Sequence, residues 1–480
     1  MARPAAGEPR VRRRVRVELR DWLLWLVVGL TIAGGVLRFT RLGESYWYDE
    51  AVTVGLVRSS FFSMIRALPG SESTPPLYYG IAWVWARIFG TSEVALRSLS
   101  AVFGTAAIPV AASAGRTLAS SAAGALVGAL VAASPFLVWY SQEARAYALY
   151  VLFSAASLLL FARARRSPSG PRLWFWAGAS ALAVWTEYFA GFLVVTEAAF
   201  LLVDRRSRRL SLRPMLALAA ASALLLPLVY KQTRNGRNTW IGKEPLRGRA
   251  EDALRWFVGL PSHLWWVVAA LVLLALVATA LASASGRRVS LVPLTLAGAC
   301  VLLPLAMRAV GKDYWLSRNL IDAWVPLAIA FAAVIVCQAG QRPWYARFAV
   351  LGLALAAVAL LATRSTTMVN DPSKRADWRG LAMCLGRPDA ERAFVLSPAY
   401  NDVVLKLYRP NVRHPRSTDR GVTEIDIIGN PTALRIARRF HPDGRICTST
   451  IAVRRIHATA PLAIPRPNAA ASVLVDAARP

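Results

Sequence analysis

The sequence predicts a mainly α-helical, polytopic membrane protein that carries a small α/β domain at its C-terminal end. Of its 480 residues, 56% are hydrophobic, whereas a soluble chain of this length is roughly 45–50% apolar. The apolar residues are grouped in runs close to the ~20 residues that cross a bilayer. After residue 363 the long runs stop, and short stretches with alternating strand and helix signals follow.

The apolar runs predict about eleven transmembrane helices, counted by hydrophobic length. Polar or basic segments separate the runs, as expected for loops between spans. The runs cover residues 22–39, 94–118, 122–140, 148–162, 174–184, 192–203, 214–230, 263–281, 291–308, 320–336 and 348–361. Residues 1–21 form a basic arm, and no small-residue cleavage site follows the first run, so we expect an uncleaved anchor.

Loop charge predicts the orientation. The arm at 1–21 and the short loops at 163–172 and 204–209 are densely basic, and such loops stay in the cytoplasm. We therefore expect a multi-pass plasma-membrane protein with a cytoplasmic N-terminus and an extracytoplasmic C-terminal domain. The basic loop at 231–262 would then lie outside, which is explained if its charges meet a phosphate-bearing substrate.

The predicted domain organisation has four parts. The basic arm is followed by a transmembrane domain at 22–363, whose first outer loop, 40–92, contains two helices lying along the membrane surface. Residues 364–465 are expected to form the extracytoplasmic α/β domain, and the Pro- and Ala-rich residues 466–480 a disordered tail.

The net charge of +30 does not indicate nucleic-acid binding. The arginines flank apolar runs and form no separate basic domain, so some anchor cytoplasmic loops and others are available to the phosphates of membrane lipids. Of the four cysteines, Cys300 and Cys337 lie in apolar runs. Cys384 and Cys447 lie in the polar C-terminal part, where an oxidising exterior would permit a disulfide.

Polar side chains gather at the predicted outer ends of the spans, whereas the inner loops carry almost only arginine. A carboxylate at such a position can take the proton of an attacking hydroxyl, and Arg or Lys can bind a phosphate leaving group. A pair of carboxylates can also hold a divalent ion. The clusters are Asp49/Glu50, Glu72, Glu143/Arg145/Tyr147, Glu187/Tyr188, Lys312/Asp313 and Arg318/Asp322.

Three motifs resemble those of the bacterial GT-C glycosyltransferases of family 39. They are Trp47-Tyr48-Asp49-Glu50-Ala51, Thr74-Pro75-Pro76-Leu77-Tyr78-Tyr79 and Ser141-Gln142-Glu143-Ala144-Arg145-Ala146-Tyr147. This family is related to the protein O-mannosyltransferases and to the aminoarabinose transferases of lipid A. The resemblance covers about residues 22–340, and Asp377-Trp378-Arg379-Gly380 resembles the start of the extracytoplasmic domain in such proteins.

The resemblance implies a function. The family moves a sugar, here mannose-like or a pentose, from a polyprenyl-phosphate-linked donor to a hydroxyl of a lipid, glycan or protein acceptor. Transfer is inverting and takes place on the outer face of the membrane. By position, Asp49 matches the catalytic acidic residue, which acts as general base, and Glu50 completes the Asp-Glu pair.

The remaining candidate residues follow from the same motifs and clusters. Arg318 matches an arginine expected near the donor phosphate, and Arg145 and Lys312 are further candidates for that role. Glu72, Glu143 and Glu187 are candidates for binding the acceptor or a metal. Tyr48, Tyr78 and Tyr147 are expected to line the substrate site.

The chain departs from the family pattern at three positions. Thr74 stands where relatives often have His or Lys, Glu187 where a His is common, and Asn319 where a Tyr is common. The family often uses a divalent metal such as Mg, Mn or Ca. The first two departures each remove a possible cation or metal ligand, so the resemblance leaves metal use open, with Glu187 as a substitute ligand.

Two other functional classes fit a polytopic, arginine-bearing chain. A lipid or solute transporter or flippase would show internal repeats and broken helices with charges at mid-membrane, and no repeat is visible. A non-catalytic scaffold would leave the carboxylates unexplained. Simpler roles also exist for single residues: Asp49 and Glu50 could cap a helix, Arg318 could be an interfacial anchor, and Lys243, Arg247 and Arg249 could form a solvated face.

Overall fold

The computed structural model divides the chain into two compact units. The first comprises Met1–Thr40, Ser60–Gly90 and Ala95–Asn370, and the second Arg41–Ser59, Thr91–Val94 and Asp371–Pro480. The structure describes residues 8–259, 284–341, 343–386, 391–417, 419, 421–429, 451, 453–465, 467 and 471–476, and isolated positions between 260 and 283.

The described residues are mainly helical, with a small set of strands near the C-terminal end. The helices are α1 (Glu8–Phe39), α2 (Tyr48–Arg58), α3 (Phe61–Ser71), α4 (Leu77–Phe89), α5 (Glu93–Leu118), α6 (Ser121–Ala133), α7 (Pro135–Ser141), α8 (Tyr147–Arg166), α9 (Gly170–Thr186), α10 (Ala190–Val203), α11 (Arg208–Ala223), α12 (Leu226–Arg234), α13 (Leu246–Val258), α14 (Ala284–Ala306), α15 (Trp324–Gln341), α16 (Trp344–Asn370), α17 (Trp378–Cys384) and α18 (Asp402–Tyr408). The strands are β1 (Arg392–Ser397), β2 (Val422–Gly429), β3 (Val453–Leu462) and β4 (Ser472–Asp476), and short 3-10 helices cover Ile241–Lys243, Met307–Val310, Ser317–Ala323 and Ala399–Asn401.

The first unit confirms a multi-pass membrane protein. Among the described residues, seven helices are long and apolar enough to span a bilayer, and the bent pair α6–α7 raises the number to as many as eight. These match eight of the predicted runs. The runs at 174–184 and 192–203 fall in the shorter helices α9 and α10, and the run at 263–281 lies largely outside the described residues. The total of about eleven therefore stays a prediction.

The bend between α6 and α7 has a clear chemical cause. Pro135 lacks the N–H that would continue the helix, and the chain turns by 57°. The carbonyls of Val131 and Ala132 accept hydrogen bonds from the Arg38 guanidinium at 2.9 and 3.2 Å. The Ala133 carbonyl accepts from Ser365 Oγ at 2.6 Å. Side chains of α1 and α16 thus satisfy the backbone groups that the bend releases, as an apolar environment requires.

Helices α5 and α6 approach closely because α6 carries glycine at the contact. A Cβ built on Gly124 would lie 2.6 Å from the Ala112 carbonyl oxygen and 2.9 Å from the Arg116 amide nitrogen. Both neighbours are backbone atoms, which cannot move aside as a flexible side chain can. Small residues at helix contacts allow this close packing in membrane proteins.

The second unit is built on a four-stranded mixed sheet with strand order β3-β2-β1-β4. Strand β1 is parallel to β2 and antiparallel to β4, and β2 is antiparallel to β3. One apolar cluster joins β1 to α17 and α18, and it includes Ala51 of α2. The predicted α/β domain is confirmed, and α2 is part of the same unit rather than of the transmembrane unit.

Two sequence-based expectations need correction in these regions. Residues 466–480 were expected to be disordered, but Ser472–Asp476 form the buried strand β4, because the backbone pairs with β1 and the apolar side chains of Val473, Leu474 and Val475 are buried. Residues 40–92, predicted to be the first outer loop, contain three helices, α2, α3 and α4, instead of the expected two. Cys384 is disulfide-bonded, whereas its expected partner, Cys447, lies outside the described residues.

Replacing Gly124 with Ala should lower the midpoint of thermal unfolding in detergent. The added Cβ overpacks a contact made by backbone atoms, which typically costs about 1–3 kcal/mol. Gly178 is the matched control, because a Cβ on this helical glycine meets no atom within 4 Å. Gly178→Ala should leave the midpoint unchanged or raise it, and equal effects at both glycines would contradict the prediction.

Candidate functional site

A buried ion pair joins two of the sequence motifs within the first unit. Arg145 Nη1 lies 2.6 Å from Glu72 Oε1, and Arg145 Nη2 lies 2.9 Å from Glu72 Oε2. Glu72 caps the C-terminal end of α3, and Arg145 lies in the turn before α8. Both residues are almost fully buried, at 5% and 6% exposure. Buried charges are tolerated when they are paired with this bidentate geometry.

The backbone of Arg145 is held as firmly as its side chain. The Arg145 carbonyl accepts a hydrogen bond from Ser100 Oγ at 3.2 Å, and Ser100 Oγ lies 3.4 Å from the Tyr78 hydroxyl. The motif residues Tyr78 and Arg145 are therefore linked through α5. Tyr78 is buried, at 1% exposure, so its hydroxyl acts here as a structural contact.

The segment after Glu72 continues the cluster. Thr74 Oγ1 lies 3.1 Å from the Tyr79 hydroxyl, and burial raises the pKa of that phenol well above its ordinary value, while the nearby Arg145 opposes the shift. The Thr74 carbonyl accepts a hydrogen bond from Gln232 Nε2 at 3.0 Å. Thr74, which replaces a cation in the family pattern, thus takes part in a neutral hydrogen-bond network.

Glu187 lies at the end of α9 and is buried, at 3% exposure. Its Oε1 accepts the backbone N–H of Tyr188 at 3.0 Å. Burial raises the pKa of Glu187 to about 8, against the opposing effects of the Tyr188 N–H and of the nearby Arg145 and Arg318. At neutral pH the carboxyl group is therefore largely protonated and can donate a hydrogen bond.

Glu143 and Tyr147 flank Arg145 and contact aromatic side chains. Trp139 Nε1 donates to Glu143 Oε1 at 2.8 Å, and the rings of Tyr147 and Tyr140 lie 4.6 Å apart in an edge-on arrangement. Glu143 and Tyr147 are buried. Both predicted residues are thus in the same turn region as Arg145.

Arg318 lies on the 3-10 helix at 317–323, and α13 contacts the segment that leads to it. Arg249 binds Asp313 with both terminal nitrogens, at 2.8 and 2.7 Å, which lowers the pKa of Asp313 to about 2. Ser317 Oγ donates to Asp252 at 2.7 Å. Arg249 is therefore buried and paired, and the expectation of a solvated side chain is wrong for it. Lys312 is exposed.

Tyr48, Asp49 and Glu50 belong to the second unit. Asp49 is half-buried in the first turn of α2. Glu50 is fully buried; its Oε2 accepts the Trp47 backbone N–H at 3.3 Å and lies 3.4 Å from Arg375 Nη1. The Tyr48 ring lies 4.9 Å from that of Tyr400. Glu50 thus has the contacts of a helix-capping residue in a salt bridge.

The described residues do not fit a metal site. No group of three or more His, Cys, Asp or Glu side chains among them is arranged to hold an ion. Both oxygens of Glu72 bind Arg145, and one oxygen of Glu187 accepts a backbone N–H. The divalent metal that the resemblance implies stays an expectation.

Sequence reasoning missed several residues that shape the site. Gln232 and Arg249 lie on α12 and α13, within a segment that was predicted to be a basic loop and whose contacts its charge does not reveal. Asp252 and Arg375 pair with groups distant in sequence. A polar Gln at the end of an apolar run was the one available signal, and it is too common to identify a bridging residue.

The stability of the protein should depend on pH through Glu187. Its folded-state pKa is about 8, raised from the 4.5 of a free glutamate. Its contribution is therefore fully present below about pH 4.5 and is lost as pH rises towards 8. In thermal unfolding scans over this range, Glu187→Gln should remove part of the decline that the wild type shows. Parallel pH profiles for wild type and variant would contradict the assignment.

Comparisons with known proteins agree with the fold and cover the motifs at residues 74–79 and 141–147. The family model described as dolichyl-phosphate-mannose-protein mannosyltransferase matches residues 73–230, which contain Thr74, Arg145 and Glu187. A comparison with curated proteins gives no significant match.

Solved structures cover nearly the whole chain. ArnT from Cupriavidus metallidurans bound to undecaprenyl phosphate is 14% identical, with a TM-score of 0.55 over 92% of this chain and 98% of that one. Its apo state is 13% identical, with a TM-score of 0.54 over 91% and 98%. The Archaeoglobus fulgidus oligosaccharyltransferase in its apo form is 15% identical, with a TM-score of 0.48 over 77% and 58%. The chain therefore has the GT-C fold of ArnT, and its residues 73–230 are similar to the mannosyltransferase family model.

Proposed function

We propose that this chain is a membrane glycosyltransferase that uses a polyprenyl-phosphate-linked sugar. The observation that supports this most directly is the buried cluster of Glu72, Arg145 and Glu187 within the segment that matches the mannosyltransferase family model. Arg318 lies close enough to influence Glu187. Buried charges from separate helices of a membrane protein are costly and indicate a functional site.

The donor phosphate is the ligand that suits the two arginines. Arg145 binds Glu72 with its two terminal nitrogens, and a guanidinium is also well suited to binding phosphate. Arg318 supplies a second positive charge near Glu187. The ArnT structure contains undecaprenyl phosphate, a lipid phosphate of the proposed donor class. Lys312 stays a weaker candidate for the phosphate because its side chain is exposed.

Asp49 is the proposed general base, because it lies in the Trp47–Ala51 motif at the position of the family's catalytic acidic residue. Its carboxylate takes the proton of the acceptor hydroxyl as the hydroxyl oxygen forms a bond to the anomeric carbon. The bond from that carbon to the phosphate oxygen breaks, and polyprenyl phosphate leaves with the electron pair. Attack opposite the leaving group inverts the anomeric configuration. Glu50, through its contacts with Trp47 and Arg375, is better suited to fixing the start of α2 than to proton transfer.

The acceptor is proposed to be a hydroxyl of a lipid, glycan or protein on the outer face of the membrane. Glu187 is protonated at neutral pH and so can donate a hydrogen bond to a sugar or acceptor oxygen. Glu143, Tyr78 and Tyr147 support the walls of the cluster through their contacts with Trp139, Ser100 and Tyr140. Tyr48 keeps its proposed substrate-lining role in the second unit. The N-terminus is proposed to be cytoplasmic and the C-terminal domain extracytoplasmic.

Asp49→Asn should abolish most transfer. Losing a general base typically costs about 10²–10⁴-fold in rate, and Asn matches Asp in size. The measurement is transfer from a radiolabelled polyprenyl-phosphate sugar by protein purified in detergent, across a panel of donors and acceptors. Asp371→Asn, at an exposed carboxylate of the same unit, is the control and should keep wild-type activity.

Two outcomes of this experiment would change the conclusion. Undiminished transfer by Asp49→Asn would remove Asp49 as the base but leave the glycosyltransferase. If wild-type protein transfers no sugar in any donor and acceptor combination, while moving a labelled lipid between the leaflets of a vesicle, the flippase alternative is correct.

Variants of the Glu72–Arg145 pair should have different effects on the stability of the protein and on its transfer activity. Arg145→Met alone leaves a buried carboxylate without its partner, which typically costs about 3–5 kcal/mol. The double variant Glu72→Leu/Arg145→Met replaces both charges with apolar groups, so its thermal unfolding midpoint should recover towards that of the wild type. Both the single and the double variant should lack transfer activity, because each has lost the Arg145 guanidinium that is proposed to bind the phosphate.

The exposed pair Arg247–Glu251 provides the matched control for this experiment. These side chains are 3.0 Å apart and are 87% and 36% exposed to solvent, so Arg247→Met should change neither stability nor transfer measurably. Wild-type transfer by the double variant would show that the buried pair serves only the fold.

A further inference from the structure

The segment 232–238, at the end of α12 and beyond it, binds the turn that carries Glu72. Arg237 Nη1 donates to the Gly70 carbonyl at 2.9 Å, and Asn235 Nδ2 donates to the Pro69 carbonyl. Ser73 Oγ lies 3.2 Å from Asn238 Oδ1. These contacts tie both sides of the Glu72 turn to one segment of the chain.

Gln232 is the buried member of this segment. Its Nε2 donates to the Thr74 carbonyl at 3.0 Å, and its Oε1 accepts from the Tyr188 hydroxyl at 2.8 Å. Both ends of its amide are thus used, and the residue is 7% exposed. The amide orientation is set by this arrangement, because the carbonyl can only accept and the hydroxyl donates to the remaining oxygen.

The two residues that Gln232 joins are next to two site carboxyls. Thr74 is two residues after Glu72, and Tyr188 directly follows Glu187. The Glu187 side chain also accepts the Tyr188 backbone N–H. The Gln232 amide therefore spans the gap between the end of α3 and the end of α9, and it sets the distance between the segments that carry Glu72 and Glu187.

We infer that Gln232 is a positioning residue, whose amide holds the Glu72–Arg145 pair and Glu187 in register for sugar transfer. The role of Gln232 in sugar transfer rests on the proposed function, whereas its two hydrogen bonds are a property of the fold. Within the described residues, the Gln232 side chain bonds Thr74 and Tyr188 and so acts on the candidate site residues through them. Small displacements of positioned groups can cost about 10²-fold in rate.

The decisive variant is Gln232→Met, which keeps the side-chain length and removes both hydrogen bonds. We expect kcat to fall about 10- to 100-fold, with the KM for the polyprenyl-phosphate sugar within about threefold of wild type, because Gln232 touches no proposed phosphate ligand. Tyr188→Phe removes one end of the same bridge. The double variant should be no slower than the slower single variant, since both changes break one connection.

Hydrogen exchange provides a measurement that does not depend on activity. In Gln232→Met, backbone amides within residues 69–76 should exchange faster than in the wild type, whereas amides of the sheet in the second unit should be unchanged. Thr233→Ala is the control: Thr233 is the exposed neighbour on α12, and its hydroxyl donates a hydrogen bond to the local Tyr230 carbonyl. It should leave both kcat and exchange at wild-type values.

The outcomes separate the inference from the proposed function. Wild-type kcat and exchange in Gln232→Met would overturn the inference, as would a slow variant whose double with Tyr188→Phe loses activity multiplicatively. A lower unfolding midpoint with unchanged kcat would reduce Gln232 to a packing residue. If the wild type transfers no sugar, the proposed function fails, and the exchange measurement still decides whether Gln232 holds the Glu72 turn.

Discussion

The buried pair of Glu72 and Arg145 is the interaction on which the candidate site depends. Taking two charges out of water costs several kcal/mol for each ion, and only good geometry with further hydrogen bonds offsets that cost. Here both carboxylate oxygens and both terminal guanidinium nitrogens are used. The neighbouring groups adapt to the pair: Thr74 and Tyr79 form a neutral network beside it, and Glu187 is kept protonated by burial.

The same physical constraint explains the rest of the first unit. Polar groups in an apolar setting must find partners within the protein. The α6–α7 bend is possible because Arg38 and Ser365 bind the carbonyls it releases. The Arg318 segment is held by a second arginine–carboxylate pair, between Arg249 and Asp313. Gln232 likewise uses its buried amide to join two segments, through hydrogen bonds with the Thr74 carbonyl and the Tyr188 hydroxyl.

The membrane spans and the fold could be predicted from the sequence, because both leave local patterns in it. Long apolar runs identify spans directly, since a bilayer requires ~20 such residues, and the motifs around Thr74 and Arg145 predicted the GT-C fold that the comparisons support. The strand at Ser472–Asp476 was missed because a short apolar stretch in a Pro- and Ala-rich tail gives little signal until β1 is present to pair with it.

The sequence by itself determined the membrane class, the fold family and the identity of the charged residues, because hydropathy and local motifs are properties of neighbouring residues. Only the tertiary structure decided their partners. It paired Glu72 with Arg145, Arg249 with Asp313 and Gln232 with Thr74 and Tyr188. Each of these contacts joins residues more than forty positions apart along the chain. Their geometry depends on how the helices pack, and no local pattern encodes that.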